Sequence, residues 1–235
     1  MTFAEQVIHF NNNLHFNGKL PAGIRLMNPF RENPRALQTS SAFYEKYYKD
    51  HHKRHLILGI NPGRHGAGVT GIPFTDTKRL ESKCGLKIDG LQTHEPSSVF
   101  VYELIDAYGG AATFYRDFYI TSICPLGFVK KNDKGREVNY NYYDSKALIT
   151  SVRPFMEESL RSQLEFGIHT DTCFVLGTGK NFQFMEKFNA ELGLFDKLIP
   201  LEHPRYIVQY RSREKEVYVE RFLRLLTEGI GKDNF

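Results

Sequence analysis

The sequence predicts an α/β fold, a three-layer α/β/α sandwich in which helices cover both faces of a mainly parallel sheet of about four strands. Short apolar runs typical of buried strands recur four times along the chain. Segments with helical periodicity separate these runs, which is the pattern of parallel strands joined by helical crossovers. The 235 residues contain no internal repeat, low-complexity tract or long linker. We therefore expect a single domain over residues 1–235.

The first half of the chain supplies two of the predicted strands. Helices are predicted at 2–13, 34–50 and 97–107, and strands at 55–60 and 117–123. The first strand is the apolar run His55-Leu56-Ile57-Leu58, which ends at Gly59. The helix over 97–107 stops at Gly109-Gly110, since glycine is common just past a helix C-terminus.

The second half supplies the other two strands. A helix is predicted over 144–166, strands at 172–176 and 197–201, a helix between them to about residue 192, and a closing helix over 212–228. Residues 130–141 are polar and contain glycine, which predicts a loop. The carboxyl ends of parallel strands share one edge of a sheet, so the loops that follow the strands should converge there.

Composition narrows the class of protein. The net charge of +4 is compatible with a polyanionic partner without requiring one. No apolar run approaches the roughly 20 residues that a membrane span needs. Met1 is followed by no basic and apolar signal sequence, so we expect an intracellular protein, in the cytoplasm or nucleoid if bacterial. Cys84, Cys124 and Cys173 lie far apart, which argues against a disulfide framework, a structural zinc or a four-cysteine iron–sulfur cluster.

The most distinctive segment is residues 59–74, here called the glycine loop, which reads GINPGRHGAGVTGIPF. It follows the first predicted strand and combines five glycines and two prolines with one amide and one aromatic side chain. Glycine permits close backbone approach and proline stiffens a turn, a composition suited to pressing against a flat ligand.

Two nucleotide-binding patterns compete with that interpretation. Residues 66–71 formally match the dinucleotide fingerprint, but they begin well after the strand ends and are followed by Pro73 rather than a helix. Residues 177–181, GTGKN, resemble half of a P-loop but lack its leading glycine and its Ser/Thr. This second segment is better interpreted as a helix N-terminus at the sheet edge, where Lys180 could contact a phosphate.

Three segments together resemble the SMUG-type (single-strand-selective monofunctional) uracil-DNA glycosylases. Asn61-Pro62-Gly63, continued to Gly71-Ile72-Pro73-Phe74, resembles their first motif. Leu201-Glu202-His203-Pro204-Arg205 resembles their second, and Tyr119 to Leu126 resembles the strand that carries their base-reading residue. The resemblance is confined to these motifs, whose order and spacing fit one domain.

The resemblance implies an enzyme that flips a nucleotide out of DNA and hydrolyses its glycosidic bond without a cofactor or metal. It implies that Asn61 positions the attacking water and that His203 faces the uracil O2. The implied base pocket consists of Gly59, Ile60, Pro62, Gly63, Gly66, Ala67, Phe74 and Ser122. Phe74 would stack on the flipped ring.

Two departures from the family pattern bear on specificity. Ser122 stands where the family usually has an asparagine, and a hydroxyl cannot make the paired contact of an amide. The sequence therefore also allows an enzyme that excises other deaminated or oxidised bases. Arg205-Tyr206 follows the histidine and proline directly, without the longer wedge of the family. The implied DNA contacts are Arg205, Tyr206, Lys180 and Arg211.

The motifs contain no lysine that could form a Schiff base, so a monofunctional enzyme is expected. DNA, single- or double-stranded and containing uracil, is the expected partner, and a monomer is the expected state. A module of the same fold that binds damaged or single-stranded DNA without catalysis is the alternative. A small-molecule hydrolase ranks last, because no G-x-S-x-G appears.

Overall fold

A computed structural model describes residues 1–88 and 90–232. The strands are β1 (Ile24–Met27), β2 (Arg54–Gly59), β3 (Phe118–Ser122), β4 (Gly127–Lys131), β5 (Glu137–Tyr140), β6 (Ile168–Leu176) and β7 (Lys197–Leu201). The helices are α1 (Phe3–Asn13), α2 (Pro29–Glu32), α3 (Pro34–Tyr48), α4 (Ala67–Thr70), α5 (Thr77–Cys84), α6 (Pro96–Ala107), α7 (Ala111–Asp117), α8 (Lys146–Leu164), α9 (Lys180–Leu192), α10 (Pro204–Tyr210) and α11 (Lys215–Gly229), with 3-10 turns at Tyr142–Asp144 and Ser212–Glu214.

The central sheet has four parallel strands in the order β3-β2-β6-β7. Strand β2 is central and all six of its residues are buried, which explains its nearly continuous apolar run. Neighbouring residues of β3 point to opposite faces. Tyr119 meets Phe3 of α1 and Gln163 of α8 on one face, whereas Phe118 packs against Phe114 of α7 on the other. These contacts confirm the predicted α/β/α sandwich.

The prediction of a loop over residues 130–141 is wrong. Strands β4 and β5 form an antiparallel hairpin there, and β1 extends it to a three-stranded sheet in the order β1-β4-β5. No residue of β5 is fully buried, so the sequence lacks the apolar alternation that marks a strand. Backbone pairing holds the hairpin, and Asn132 closes its turn by accepting N–H groups from Lys134 and Arg136.

The expected closing helix over 212–228 is in fact preceded by another helix. His203 is the N-cap of α10 and Pro204 is its first residue, positions that suit both residue types. Ser212 begins a 3-10 turn, and α11 starts only at Lys215.

A buried cation fixes the amino end of β2. The Arg54 side chain is fully buried and its guanidinium lies 4.6 Å from the ring centroids of both Phe3 and Tyr48. It donates two hydrogen bonds to the Asp50 carboxylate, at 2.9 and 2.8 Å, and one to Tyr115 O. Within the described ranges, no helix has the length and apolar character required to cross a bilayer.

Candidate active site

A cleft of about 640 Å³ opens at the carboxyl edge of the central sheet. The glycine loop leaves β2 there, Ser122 ends β3, and the β5 hairpin, the loop before α9 and the start of α10 close the remaining sides. Its lining is Ile60, Asn61, Pro62, Gly63, Ala67, Pro73, Phe74, Glu95, Ser97, Ser122, Asn139, Asn141, Tyr143, Gly177, Gly179, Lys180, Asn181, His203, Arg205, Tyr206, Gln209 and Tyr210.

The side chain of Asn61 is fixed by the backbone that follows β5. Its Oδ1 accepts the N–H of Tyr142 at 3.1 Å, and its Nδ2 donates to the carbonyl of Tyr140 at 3.2 Å. A carbonyl oxygen has two lone pairs, so Oδ1 keeps one acceptor position for a water molecule. These two bonds also orient the amide. If its oxygen and nitrogen were exchanged, the NH2 group would face the Tyr142 N–H and the oxygen would face the Tyr140 carbonyl.

The imidazole of His203 is held in one tautomer by the start of α10. Its Nδ1 accepts the backbone N–H of Arg205 at 3.2 Å, which places the ring proton of the neutral form on Nε2. Burial, with a smaller effect from the positive charge of Arg205, lowers the pKa of His203 to about 4. Near neutral pH the ring is therefore an uncharged donor through Nε2–H.

Phe74 has strained backbone geometry and forms a wall of the cleft. Among the described residues it is the only non-glycine with a positive φ, at 51°. An aromatic residue in this region costs about 1–2 kcal/mol, so the surrounding loop must hold it there. A Cβ built on Gly59 would lie 3.4 Å from the Phe74 ring and 3.3 Å from Thr121 O. The Phe74 ring therefore packs directly over Gly59.

Ser122 is buried at the end of β3 and pairs in register with Gly59. It lines the cleft, at the junction between the central sheet and the glycine loop. Its short side chain leaves space there that a larger amide would fill.

Glu95, which lines the cleft, packs its carboxyl group against Gly66 of the glycine loop. A Cβ on Gly66 would lie 1.8 Å from Glu95 Oε2, so the carboxyl group occupies the space that a side chain at position 66 would take. Oε2 is buried without a hydrogen-bond partner among the described residues. Burial, followed by the negative charge of Asp76, raises the pKa of Glu95 to about 7, partly opposed by the positive charge of Arg205.

The rim of the cleft carries exposed cationic and aromatic side chains. Lys180 is the first residue of α9, and Arg205 lies in the first turn of α10. Tyr206 and Tyr210 are 40% and 66% exposed, with ring centroids 5.8 Å apart. Exposed aromatic rings beside cations are typical of surfaces on which nucleic-acid bases stack.

The structure brings together most of the residues predicted for the site. Those that line the cleft are Ile60, Asn61, Pro62, Gly63, Ala67, Phe74, Ser122, Lys180, His203, Arg205 and Tyr206. Three do not line it. Gly59 lies behind Phe74, Gly66 lies beneath Glu95, and Arg211 donates to the Tyr206 hydroxyl at 3.2 Å from outside the lining.

Several polar residues of the cleft are not marked by any pattern in the sequence. Asn139 and Asn141 come from the unpredicted hairpin region, and Asn139 Oδ1 accepts the N–H of Arg64 in the glycine loop at 3.1 Å. Glu95 precedes Pro96 at the start of α6, where an acidic residue is ordinary. A glutamate that faces a glycine-rich loop could mark such a residue, but recognising this arrangement requires knowing which elements meet in the fold.

Two other features lie away from this cleft. A groove of about 660 Å³ runs between α1 and α8, but none of the three motifs contributes to it. His55, His169 and Asp171 place possible metal-ligand atoms within 4.8 Å of one another. They lie toward the amino ends of β2 and β6, opposite the cleft, and the two imidazole rings are stacked.

The fold and the cleft are those of a DNA glycosylase. The model of the uracil DNA glycosylase superfamily matches residues 45–227, and the chain belongs to that superfamily. A solved structure, wild-type SMUG2 of Pedobacter heparinus, is similar at 54% sequence identity with a TM-score of 0.93. The match covers 94% of this chain and 95% of that one. A search of curated proteins gives no match.

Proposed function

We propose that residues 1–235 form one monofunctional DNA glycosylase domain that flips uracil out of DNA and hydrolyses its N-glycosidic bond without a cofactor, initiating base excision repair. The observation that carries the proposal is the pairing of a water-accepting amide, Asn61, with a neutral Nε2–H donor, His203, in one cleft. Superfamily membership supports action on DNA, and the similarity to a SMUG2 protein supports the subclass.

The reaction breaks the bond between the sugar and the base, leaving positive charge on the sugar and negative charge on the base. His203 donates its Nε2–H to the uracil O2 as that oxygen gains charge. A preorganised donor of this kind stabilises the transition state more than the ground state. The neutral ring can act as this donor, because its Nδ1 accepts the N–H of Arg205 and its one ring proton therefore lies on Nε2.

Asn61 accepts a hydrogen bond from the water that attacks the sugar. An amide is a poor general base, so the water is positioned rather than deprotonated before attack. Catalysis then depends mainly on stabilising the departing base. We expect slower turnover than in a relative that carries an aspartate at this position.

The remaining contacts hold the flipped nucleotide and the strand. Phe74 stacks on the base, while Pro62, Gly63 and Ala67 line its pocket and Ser122 contacts its edge. Lys180, at the N-terminus of α9, and Arg205 bind phosphates, since helix N-termini and cations both favour anions. Tyr206 stacks where the base has left the duplex.

The test is alkali-revealed strand cleavage of labelled oligonucleotides that contain one uracil, xanthine, hypoxanthine or 5-hydroxymethyluracil. The proposal predicts cleavage at uracil, and the relative rates on the other bases show how far Ser122 relaxes specificity. Salt-dependent DNA binding with no abasic product from any oligonucleotide would contradict it. That result would instead favour the non-catalytic DNA-binding module.

A further inference from the structure

We propose that Glu95 is a specificity-determining residue of the base pocket, which donates a hydrogen bond from its protonated carboxyl group to the carbonyl oxygen that deamination creates on a DNA base. This inference rests on the proposed function and names the feature of the substrate that one side chain would recognise.

Hydrogen bonds to neighbouring residues hold the backbone of Glu95 in place, and these bonds do not involve its side chain. Its N–H donates to Asp76 Oδ2 at 2.8 Å, and its carbonyl accepts the Ser98 hydroxyl at 2.7 Å. Asp76 is fully buried, and the same carboxylate caps α5 by accepting the N–H of Arg79 at 2.8 Å. These contacts fix the Cα of Glu95 and direct its side chain into the cleft.

The two carboxyl oxygens have different surroundings. Oε2 is buried over Gly66 without a partner, which disfavours an ionised carboxylate because a buried charge needs donors. Oε1 lies 3.3 Å from the Cβ position of Gly66 and 3.9 Å from that of Gly63, and of these two glycines Gly63 lines the cleft. The protonated group therefore keeps its carbonyl oxygen buried and presents Oε1–H to a ligand.

A donor at this point discriminates between intact and deaminated bases. Deamination replaces an exocyclic amino group, which donates, with a carbonyl oxygen, which accepts. An Oε1–H group pairs with that carbonyl and opposes an amino group. An ionised Glu95 would have the reverse preference.

The charged and titratable groups around Glu95 bring its pKa close to neutral pH, so that both its protonated and its ionised form are populated there. Asp76 precedes α5, Arg205 and His203 lie at the start of α10, the glycine loop carries Arg64 and His65, and His94 approaches Asp76 at 3.5 Å. Burial and, to a smaller extent, the charge of Asp76 raise the pKa of Glu95 while Arg205 lowers it, leaving the pKa at about 7. Recognition of the carbonyl should therefore weaken as the pH rises above 7.

The experiment is single-turnover excision of uracil from DNA between pH 6 and 8.5 by the wild type, E95Q, E95A and E103Q. Glutamine keeps a donor at every pH, so E95Q should retain its rate at pH 8.5, where the wild type slows. E95A should lose about ten-fold at pH 6, as expected for one lost hydrogen bond to the substrate. E103Q is the matched control, because Glu103 also has a buried, unpartnered Oε2 but pairs with Lys215 outside the cleft.

Thermal unfolding separates recognition from a structural role. A carboxyl group without a protein partner adds little to folding, so E95A should unfold at or above the wild-type midpoint. An E95A variant that loses activity together with stability would overturn the proposal.

The pH profiles supply the second criterion. If E95Q showed the same pH dependence as the wild type, the proposal would also be overturned, because the pH dependence would then arise from the titration of neighbouring groups and not from Glu95. If the wild type excises no base, the proposed function fails. If it excises uracil and both Glu95 variants match it at every pH, only the role of Glu95 fails.

Discussion

The ring of Phe74 lies 5.7 Å from the imidazole ring of His203, with the two planes inclined by 56°. One residue ends the glycine loop after β2 and the other caps the helix after β7, so the sheet order brings distant parts of the chain together. The contact joins the proposed stacking surface for the base to the proposed donor for its O2.

Removing the imidazole should lower excision strongly without unfolding the protein. We expect His203→Ala to reduce single-turnover uracil excision by about 10²–10³-fold, the range for loss of one preorganised donor to a developing anion. Binding of uracil-containing DNA should change much less. Rates and dissociation constants measured on the same oligonucleotide check both expectations.

The pH dependence of excision should lack a step near the usual histidine pKa. Because the pKa of His203 in the folded protein is lowered to about 4, its ring stays neutral down to that pH. The excision rate between pH 5 and 6.5 should therefore show no loss from His203 protonation. For the same residue, the unfolded chain binds more protons between about pH 4 and 6.5, so His203 lowers stability as the pH falls through that window. A fall in rate centred near pH 6.5 that is absent in His203→Ala would contradict this assignment.

The ring of Phe74 should contribute to holding the extrahelical base. We expect Phe74→Ala to raise KM for uracil-DNA by about 5- to 150-fold, since stacking a base on an aromatic ring contributes about 1–3 kcal/mol. The backbone strain at φ 51° remains in this variant, and Phe74→Gly relieves it. The glycine variant should be the more stable of the two in thermal unfolding, with an equal loss of binding. Equal KM values for the wild type and both variants would exclude the stacking role.

The cations at the rim should act mainly through phosphates. Each of Arg205→Ala and Lys180→Ala should weaken binding of uracil-containing and uracil-free DNA alike, and reduce the slope of log K against log salt by about one. Arg213→Ala is the control, because Arg213 lies outside the residues that line the cleft. A loss confined to uracil-containing DNA would instead assign these side chains to recognition of the base.

The buried guanidinium of Arg54 should stabilise the fold and have no direct part in excision. Arg54→Met removes the charge, takes two hydrogen bonds from the Asp50 carboxylate and leaves Tyr115 O without its donor. Because Asp50 is 30% exposed and still accepts the N–H of His52, we expect a loss of about 1–3 kcal/mol in the free energy of unfolding, measured with urea, mainly from the unpaired Tyr115 carbonyl. A variant of wild-type stability would contradict this structural role.

The sequence predicted the parts of the fold that depend on burial. The four strands of the central sheet are apolar because helices cover both faces, and their glycine and proline boundaries are readable. The β1-β4-β5 sheet was missed because β5 is not fully buried anywhere, so backbone pairing rather than an apolar pattern defines it. Helix α10 has only seven residues, too few for a clear apolar periodicity, and its cap residue, His203, belongs to the second motif as well.

The site was predictable where function depends on a local motif. The glycine loop and His203-Pro204 are contiguous in the sequence, and the carboxyl edge of a parallel sheet is where their loops should meet. Glu95 was not predictable, because its environment arises from Gly66 and Asp76, which approach it only in the folded chain. The orientation of Asn61 likewise depends on backbone groups of Tyr140 and Tyr142, in a region expected to be a loop.

In the proposed reaction, Asn61 and His203 together carry out hydrolysis of the glycosidic bond. The most direct test is alkali-revealed cleavage of a labelled single-uracil oligonucleotide by the wild type, Asn61→Ala and His203→Ala, with folding of each variant checked by thermal unfolding. We expect cleavage by the wild type and at least about 100-fold slower cleavage by each folded variant. Wild-type rates in either variant, or no cleavage by a wild-type protein that binds the same DNA, would contradict it.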